Sequence, residues 1–298
     1  MIYYLTTERH AGVMRGFLSN AGRALAARIM VVTYEHLLAV KRLRMPYGTY
    51  IFTNFNQPFG SRNPPSPARQ WLTRLHDELV RQLGQARVLN NPSKSLGRFE
   101  LLRQLHASGF NRFKAYQAGV QDNTMRFPVF LRLEHGTIRD APPLLASREV
   151  YEVEATRHAK PDMIAIEFCD TADAAGFYRK YGCFVVGERI VPRHLFKSRN
   201  WLVKTADIVD PETVAEELDY LETNPHAEVL RRVFRLANIS YGRMDYALLD
   251  GIPQIWEINT PPQIIVPPHE DRPERAPVHE KFVEAFSAAM DELDPQSA

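Results

Sequence analysis

Residues 241–262 read YGRMDYALLDGIPQIWEINTPP, a stretch with the pattern of a β-hairpin. Two mostly apolar runs, 244–249 and 254–258, flank the dipeptide Asp250-Gly251. Asp-Gly readily supplies the positive φ that a hairpin loop requires, so the two runs are predicted to pair as antiparallel strands. Polar side chains within the two strands are therefore expected to lie across from one another.

Three oxygen-bearing side chains, Asp245, Glu257 and Asn259, lie within these runs and are here called the hairpin trio. Glu257 and Asn259 must point to one face, because strand side chains alternate between faces. Carboxylate and amide oxygens that converge on one face of apolar strands are costly to bury unless a cation lies between them. Such ligands suit Mg²⁺ or Mn²⁺, which keep several waters and share phosphate oxygens with a nucleotide. The alternative is a hairpin whose acidic face is exposed to solvent, since polar and apolar residues alternate along any half-exposed hairpin.

The register of the hairpin decides whether Asp245 joins the other two side chains. A three-residue loop, 250–252, places Asp245 directly opposite Glu257. A two-residue loop would instead place Asp245 opposite Trp256, on the other face. The metal interpretation therefore predicts the three-residue loop.

The composition is that of an ordinary globular protein. The 298 residues are 45% hydrophobic and 24% charged, and the net charge is only +2. Basic and acidic residues are interspersed, which argues against a nucleic-acid partner. The N-terminus lacks a signal-peptide pattern and no run approaches the roughly 20 apolar residues of a membrane span, so a cytoplasmic protein without a membrane partner is expected. Cys169 and Cys183 lack metal-ligand spacing and are expected to be reduced thiols.

The rest of the chain alternates β-like and helical segments, which predicts a mixed α/β fold. Residues 1–87 have the pattern of a small α/β unit, and a helix is expected to begin at Pro67 after the N-cap residue Ser66. A second helix is predicted over 94–107 and an apolar strand over 163–169.

The order of these elements resembles that of the ATP-grasp superfamily. The order begins with a strand that ends in the turn Asn-Asn-Pro, followed by a helix and a strand that bears a cation. An apolar strand ending Ile166-Glu167-Phe168 and a hairpin with Val185-Val186-Gly187 come next. The order ends with Asp245 and the segment Glu257-Ile258-Asn259-Thr260-Pro261. The closest resemblance is to the branch of glutathione synthetase and ribosomal-protein glutamate ligase, and it covers roughly residues 88–265.

The resemblance implies an α/β (α+β) ATP-grasp fold, in which two lid subdomains clamp ATP and a small N-terminal α/β domain precedes them. The expected divisions are a domain over 1–87, a lid subdomain over 88–166, and a C-terminal subdomain over 167–298 that carries the metal site. The resemblance assigns the hairpin trio to two Mg²⁺ or Mn²⁺ ions that hold the phosphates of ATP.

The same resemblance places the adenine edge of ATP against the backbone at the end of the apolar strand. Glu167, Phe168 and Cys169 are therefore the adenine candidates. Asp170 or Asp173 is expected to reach the ribose hydroxyl groups. For Phe168 and Cys169, packing in the core is the alternative, and both interpretations hold together because adenine lies between apolar walls.

Two arginines stand where the family usually has phosphate-binding lysines. Arg98 follows the Asn-Asn-Pro turn, and Arg132 projects from the strand of the lid. Arginine keeps a permanent charge and grips phosphate with two donors, so a phosphate-binding role is expected for both. Lys94 and Lys114 lie nearby as substitutes, and a surface position is the alternative for each arginine.

A third departure concerns Gly182, where the family commonly has an arginine. Lys180, two residues earlier and so on the same face, is the expected replacement, and Arg193 matches a second family arginine. Either cation would neutralise γ-phosphate charge during phosphoryl transfer, with a position on the lid surface as the alternative. The glycine-rich phosphate loop of the lid is reduced to Gly136-Thr137, which leaves fewer backbone donors.

Taken with the resemblance, these features indicate an ATP- and Mg²⁺-dependent ligase. It would join a carboxylate to an amine, or to a thiol, through an acylphosphate, with release of ADP and phosphate. The expected partners are a small-molecule or peptide carboxylate and an amine nucleophile. Arg272 or Arg275 in the loop 267–275 is a candidate to bind the carboxylate, with a position in a solvated loop as the alternative for each. A kinase or other phosphotransferase, and a non-catalytic ATP-binding protein with a degenerate site, are the alternatives.

Overall fold

Strands and helices alternate along the chain. The computed structural model describes residues 1–39, 45–55, 66–136, 140–265 and 272–294. Within these ranges the elements are, in chain order, β1 (Ile2–Thr6), α1 (Glu8–Ser19), β2 (Ile29–Thr33), α2 (Tyr34–Ala39), β3 (Thr49–Phe52), α3 (Pro67–Leu83), β4 (Val88–Leu89), α4 (Arg98–Ala107), β5 (Ala115–Gln117), β6 (Val129–Leu133), α5 (Arg148–Arg157), β7 (Met163–Glu167), β8 (Tyr178–Val186), β9 (Arg189–Ser198), α6 (Pro211–Thr223), α7 (Ala227–Ala237), β10 (Tyr241–Leu249), β11 (Ile252–Asn259) and α8 (Ala276–Asp291).

In the described residues these strands form three sheets. The first is parallel, in the order β2-β1-β3-β4. Strands β5-β7-β6 form an antiparallel sheet, here called the small sheet, and β11-β10-β8-β9 form a second antiparallel sheet, the hairpin sheet. The predicted mixed α/β fold is confirmed. None of the described helices is long and apolar enough to cross a membrane.

One continuous hydrophobic core joins the parallel sheet to the hairpin sheet. Within it, Tyr4 of β1 meets Tyr241 of β10 edge to face, with ring centroids 5.6 Å apart. The small sheet has apolar clusters of its own, and it meets the hairpin sheet where Phe113 stacks on Trp256 at 4.7 Å. Aromatic pairs of these kinds add about 0.5–1.5 kcal/mol beyond the burial of their area. The division of the chain into three domains stays a prediction.

The hairpin that contains the trio has a two-residue loop. Leu249 pairs with Ile252, and the φ angles of Asp250 and Gly251 are 51° and 75°. Both angles are left-handed, as a tight turn between two twisted strands requires. The predicted three-residue loop is therefore wrong, because Asp-Gly accommodates the shorter turn.

A β-bulge nevertheless produces the predicted pairing of the two carboxylates. Asp245 pairs with Glu257 and the next residue, Tyr246, pairs with Ile255, so Trp256 is an extra residue in β11. The extra residue shifts the register by one position and so compensates for the shorter loop. The placement of Asp245 opposite Glu257 thus depends on the bulge and not on the loop.

Helix α4 begins at Arg98 and not at the predicted Lys94. The side chain of Asn91 accepts hydrogen bonds from the backbone N–H groups of Ser93 (2.9 Å) and Lys94 (3.2 Å), which closes a turn before the helix. The later start places Arg98 in the first turn of α4, and its guanidinium group extends to Glu257 of β11.

Candidate active site

A cleft lies between the small sheet and the hairpin sheet. It has about 740 Å³ of empty space, its open mouth included. Aromatic rings line one part of it, namely Phe130, Phe168, Trp201 and Trp256. Charged side chains line the other part, namely Arg132, Arg179, Lys180, Lys204, Asp245 and Glu257. Such a combination of apolar and charged walls suits a ligand with a flat ring and a multiply charged group.

The hairpin trio lies together at the charged part of the cleft. Asp245 and Glu257 face each other across the two strands, and Asn259 donates from Nδ2 to Oε1 of Glu257 at 2.9 Å. Burial raises the pKa of Glu257, but the charges of Arg98 and Arg132 outweigh it and hold the pKa far below its usual value. Glu257 therefore carries a negative charge, which the two arginines balance.

The chemistry of this donor set fits a hard divalent cation. Two carboxylates and an amide, each with an oxygen, lie on one face of the hairpin, which is a ligand set that Mg²⁺ accepts together with water and phosphate oxygens. Among the described residues, no group of three or more His, Cys, Asp or Glu side chains is placed to hold a metal ion. Any ion at the trio would therefore take its remaining ligands from water or a nucleotide.

Arg98 and Arg132 both bond to Glu257, which brings them to the same place as the trio. The Nη2 atom of Arg132 lies 3.5 Å from Oε2 of Glu257, and Nη2 of Arg98 donates to the same oxygen. Arg98 also donates to the backbone oxygens of Leu133 and Glu134. Burial, and then the charge of Arg98, lowers the pKa of Arg132 to about 10. The two cations are crowded around one anion.

Lys180 also lies in the cleft, as its assignment requires. Its Nζ atom lies 3.4 Å from the backbone oxygen of Lys204 and 5.2 Å from the ring centroid of Phe196. Burial lowers the pKa of Lys180, and the charge of Asp245 partly opposes this. Lys180 is the cation of β8 that faces the hairpin trio.

Three further side chains of the site were missed by the sequence interpretation. Arg243 donates from Nε and Nη2 to the two carboxylate oxygens of Asp245, at 2.7 and 3.1 Å. Lys204 lines the cleft, and burial lowers its pKa while the charge of Glu257 raises it. Trp201 packs near Phe168 in the aromatic part, with centroids 5.5 Å apart. Arg243 had a signal, since it lies two residues before Asp245 and so on the same face, whereas the loop after β9 has no periodic pattern.

Phe168 and Cys169 line the aromatic part of the cleft. Burial raises the pKa of the Cys169 thiol to about 11, so the thiol is neutral. The structure shows no hydrogen bond from the Cys169 amide to another described backbone oxygen, whereas the Phe168 amide donates to Pro128 at 2.9 Å.

The Glu167 side chain points away from the cleft and into the small sheet. Its carboxylate accepts hydrogen bonds from the Tyr116 hydroxyl at 2.9 Å, from the Lys114 amide at 3.0 Å and from Arg126. These bonds hold strands β5 and β7 together. The adenine assignment of Glu167 therefore concerns its backbone alone.

The two aspartates proposed for the ribose are not among the residues that line the cleft. Asp170 accepts from the Ala172 amide at 3.1 Å. Asp173 accepts from the Phe177 amide at 2.9 Å and pairs with Arg179 at 2.6 Å, and these two contacts bring its pKa to about 2. Asp173 is thus committed to a local turn.

Arg193 lies outside the cleft. It is buried, donates from Nε to the backbone oxygen of Ile264 at 2.7 Å and lies 4.5 Å above the ring of Phe282 in α8. These contacts hold β9 against α8. The structure thus brings Lys180 to the trio but does not bring Arg193 there.

The structure explains the glycine at position 182. A Cβ atom added to Gly182 would lie 2.4 Å from Cε1 of His194, so the imidazole ring occupies the space of a side chain. The ring stacks on Phe196 at 4.0 Å, and burial, followed by the charges of Arg243 and Lys180, lowers the pKa of His194 well below its usual value. A neutral imidazole therefore fills the space that a side chain at position 182 would occupy.

The suggested lysine substitutes lie away from the trio. Lys114 donates to the Thr124 hydroxyl at 3.0 Å, on the small sheet. Lys94 lines a separate groove beside α7. Thr137, the second residue of the shortened phosphate loop, lies outside the described residues.

Arg275 is a buried structural residue, which argues against its suggested role as a substrate grip. Its guanidinium donates to both carboxylate oxygens of Glu217, at 3.0 and 2.8 Å, and Glu217 also accepts from the Leu195 amide. Each side chain of the pair is 3% exposed. Arg272 is exposed, and residues 266–271 lie outside the described part of the chain.

Arg275→Ala is expected to lower the free energy of unfolding by about 3–5 kcal/mol, because it leaves the Glu217 carboxylate buried without its cation. Chemical denaturation followed by circular dichroism measures the change. The control is Glu222→Ala, which breaks an exposed pair with Lys281 and should cost less than about 1 kcal/mol. Equal midpoints for the two variants would show that Arg275 is not needed by the fold.

No protein-family model matches the chain, and no curated protein matches it in sequence. Solved structures do match it over nearly its whole length. A RimK domain protein from Sphaerobacter thermophilus, described as ATP-grasp, is 12% identical, with a TM-score of 0.50 over 97% of this chain and 99% of that one. The macrocyclase MdnC from Microcystis aeruginosa, solved with its precursor peptide MdnA, is 12% identical, with a TM-score of 0.51 over 95% of this chain and 98% of that one.

The chain has the ATP-grasp fold. The fold expected from the order of motifs is thereby confirmed. In this fold the cleft lies between the small sheet and the hairpin sheet. The trio, the five cations and the aromatic rings described above all belong to that space or border it.

Proposed function

We propose that this ATP-grasp chain is an ATP- and Mg²⁺-dependent ligase that joins a carboxylate to an amine through an acylphosphate. One observation carries the proposal. A single cleft has aromatic walls at one part and, at the other, two carboxylates surrounded by five cations, namely Arg98, Arg132, Lys180, Lys204 and Arg243. The surplus of positive charge needs an anionic ligand of high charge, and a triphosphate with a flat base meets both requirements.

The nucleotide would lie along the cleft with its base among the aromatic rings. Phe168 and Trp201 would enclose the base, and the Cys169 amide would donate to its edge. The phosphates would lie against Arg98 and Arg132. Mg²⁺, held by the hairpin trio, would neutralise the charge of the phosphates.

The reaction consists of two displacements that need little covalent chemistry from the protein. A carboxylate oxygen of the substrate attacks the γ-phosphorus, the bond from that phosphorus to the bridging oxygen breaks, and ADP leaves. An amine nitrogen then attacks the acyl carbon, the bond from that carbon to the phosphate oxygen breaks, and phosphate leaves with transfer of the amine proton to solvent. Lys180 and Lys204 would stabilise the charge on the transferred group because they are held in a poorly solvated cleft.

The similar structures support this class of reaction without identifying the substrate. One of them, MdnC, is a macrocyclase solved with a precursor peptide. A peptide carboxylate is therefore a reasonable member of any substrate panel, beside amino acids and small carboxylic acids. An amine is the proposed nucleophile.

The experiment measures ADP and free phosphate formed from Mg-ATP across panels of carboxylates paired with amines. The ligase proposal expects ADP, phosphate and an amide in equal amounts, with no ADP above background when either substrate is omitted. ADP with a phosphorylated product and without free phosphate would identify a phosphotransferase instead. Binding of Mg-ATP without ADP formation in any mixture would contradict catalysis.

A further inference from the structure

Two ion pairs join the opposite sides of the cleft. Arg98 begins α4 and Arg132 lies in β6 of the small sheet, whereas Glu257 lies in β11 of the hairpin sheet. Both arginines donate from Nη2 to one oxygen, Oε2, of Glu257. The arginine side chains are each 11% exposed and that of Glu257 is 21% exposed, so solvent and salt screen these pairs only weakly.

The two arginines have unused capacity to bind an anion. The Nε atom of each is buried and has no hydrogen-bond partner among the described residues. Two positive guanidinium groups share a single carboxylate oxygen, and their like charges repel each other there. A polyphosphate offers more oxygens and more negative charge than Glu257, and it matches the fork of donors on arginine. Phosphate groups would therefore compete well with Glu257 for both side chains.

Glu257, in the same arrangement, is poorly placed to hold a divalent cation. Its Oε2 atom faces Arg98 and Arg132, and its Oε1 atom accepts from Asn259 at 2.9 Å. An ion placed on this carboxylate would lie beside two positive charges, and Coulomb repulsion at such distances is strong in a partly buried site. Movement of the two arginine side chains away from Glu257 would therefore strengthen binding of the cation to this carboxylate.

We propose that Arg98 and Arg132 form a latch that makes metal binding depend on phosphate binding. The proposal rests on the proposed function of the cleft. In one arrangement the arginines hold Glu257, and in the other they hold phosphate groups and release Glu257 to the cation. No buried charge loses its partner in the exchange, which keeps its cost low. The coupling is reciprocal, so removal of the Glu257 charge strengthens binding of metal-free phosphate.

The test measures binding of Mn²⁺ alone to the full chain, from the electron paramagnetic resonance signal of free Mn²⁺. Arg98→Gln and, separately, Arg132→Gln are expected to bind Mn²⁺ about tenfold more tightly than the parent protein. The matched control is Arg112→Gln, which removes an equal charge from an exposed pair with Asp250 and should leave the affinity unchanged. Adding Glu257→Gln to Arg98→Gln should remove the gain, because the gained ligand is that carboxylate.

A second arm uses inorganic triphosphate in EDTA, followed by calorimetry. Glu257→Gln should bind triphosphate about tenfold more tightly than the parent, since both arginines are already released. Equal Mn²⁺ affinities for Arg98→Gln, Arg132→Gln and Arg112→Gln, or unchanged triphosphate affinity for Glu257→Gln, would overturn the latch. The Mn²⁺ and triphosphate affinities can be measured whether or not the protein is active in the ligase assay. An active ligase whose Mn²⁺ affinity does not change in Arg98→Gln and Arg132→Gln would refute the latch and leave the proposed function standing.

Discussion

Glu257→Gln is expected to abolish the stabilisation that Mg²⁺ adds to ATP binding, and to lower ligase turnover by about 10³-fold or more. Glutamine keeps the shape of the side chain but removes the anionic ligand and the partner of Arg98 and Arg132. ATP in EDTA should still bind, because the two arginines and the aromatic walls remain. Thermal unfolding with ATP and EDTA, and with ATP and Mg²⁺, separates the two contributions.

Binding of Mg-ATP should raise the melting temperature of the parent protein by a measurable amount. A ligand present at 100 times its dissociation constant stabilises a protein by about 2.7 kcal/mol, so the parent protein should show a clear rise in melting temperature with Mg-ATP. Each variant is compared with its own ligand-free melting temperature. The control Glu228→Gln changes an 82% exposed carboxylate and should behave as the parent does. An equal Mg²⁺-dependent rise in Glu257→Gln would refute the metal assignment.

Lys180→Met is expected to reduce kcat by about 10²–10³-fold, with a smaller change in the KM for ATP. Methionine is an unbranched side chain without the charge of the Lys180 ammonium group, which lies 5.2 Å from the centroid of the Phe196 ring. A cation that contacts the transferred phosphoryl group contributes mainly in the transition state, so its loss should appear in kcat. Steady-state ADP formation with a coupled assay measures both constants.

Arg193→Lys is the informative comparison, because the sequence assigned a similar role to Arg193. Its guanidinium bonds to Ile264 and packs on Phe282, so this variant should change the melting temperature and leave kcat within a few-fold of the parent. Loss of kcat in Arg193→Lys, with normal kcat in Lys180→Met, would reverse the assignment of the two cations.

Much of the fold was predictable because its signals are local. Ser66 caps α3 and Pro67 begins it, as expected, since the cap depends on a hydroxyl group and on the fixed φ of proline. A strand was likewise predicted over 163–169, and β7 spans Met163–Glu167. In each case the neighbouring residues contain all the information that is needed.

The pairing of Asp245 with Glu257 was predicted correctly for an incorrect reason. The expected loop length depended on Asp250 and Gly251 alone, and these residues form the shorter turn. The bulge at Trp256 restores the register, and that ring stacks on Phe113, which lies just before β5 of the small sheet. A bulge held by packing between sheets leaves no periodic signal in its own strand.

Other features depended on contacts between distant segments. Lys204 and Trp201 lie in a loop without periodicity, and only the fold brings them to the cleft. Arg275 was suggested to bind the substrate carboxylate, but Glu217 of α6 neutralises it in the interior. At position 182, the ring of His194 from the adjacent strand explains the glycine. In each case the deciding partner is far away in sequence.

The position of a bound Mn²⁺ ion is the most direct test of the proposal that the hairpin trio holds a metal ion in the nucleotide-binding cleft. Crystals grown with Mn²⁺ and a non-hydrolysable ATP analogue should show an anomalous peak within direct coordination distance of oxygen atoms of Asp245, Glu257 and Asn259, and of the phosphates. The purine ring should lie beside Phe168 and Trp201. A nucleotide bound in another cleft, or a peak away from the three side chains, would contradict the assignment of this cleft as an ATP-grasp active site.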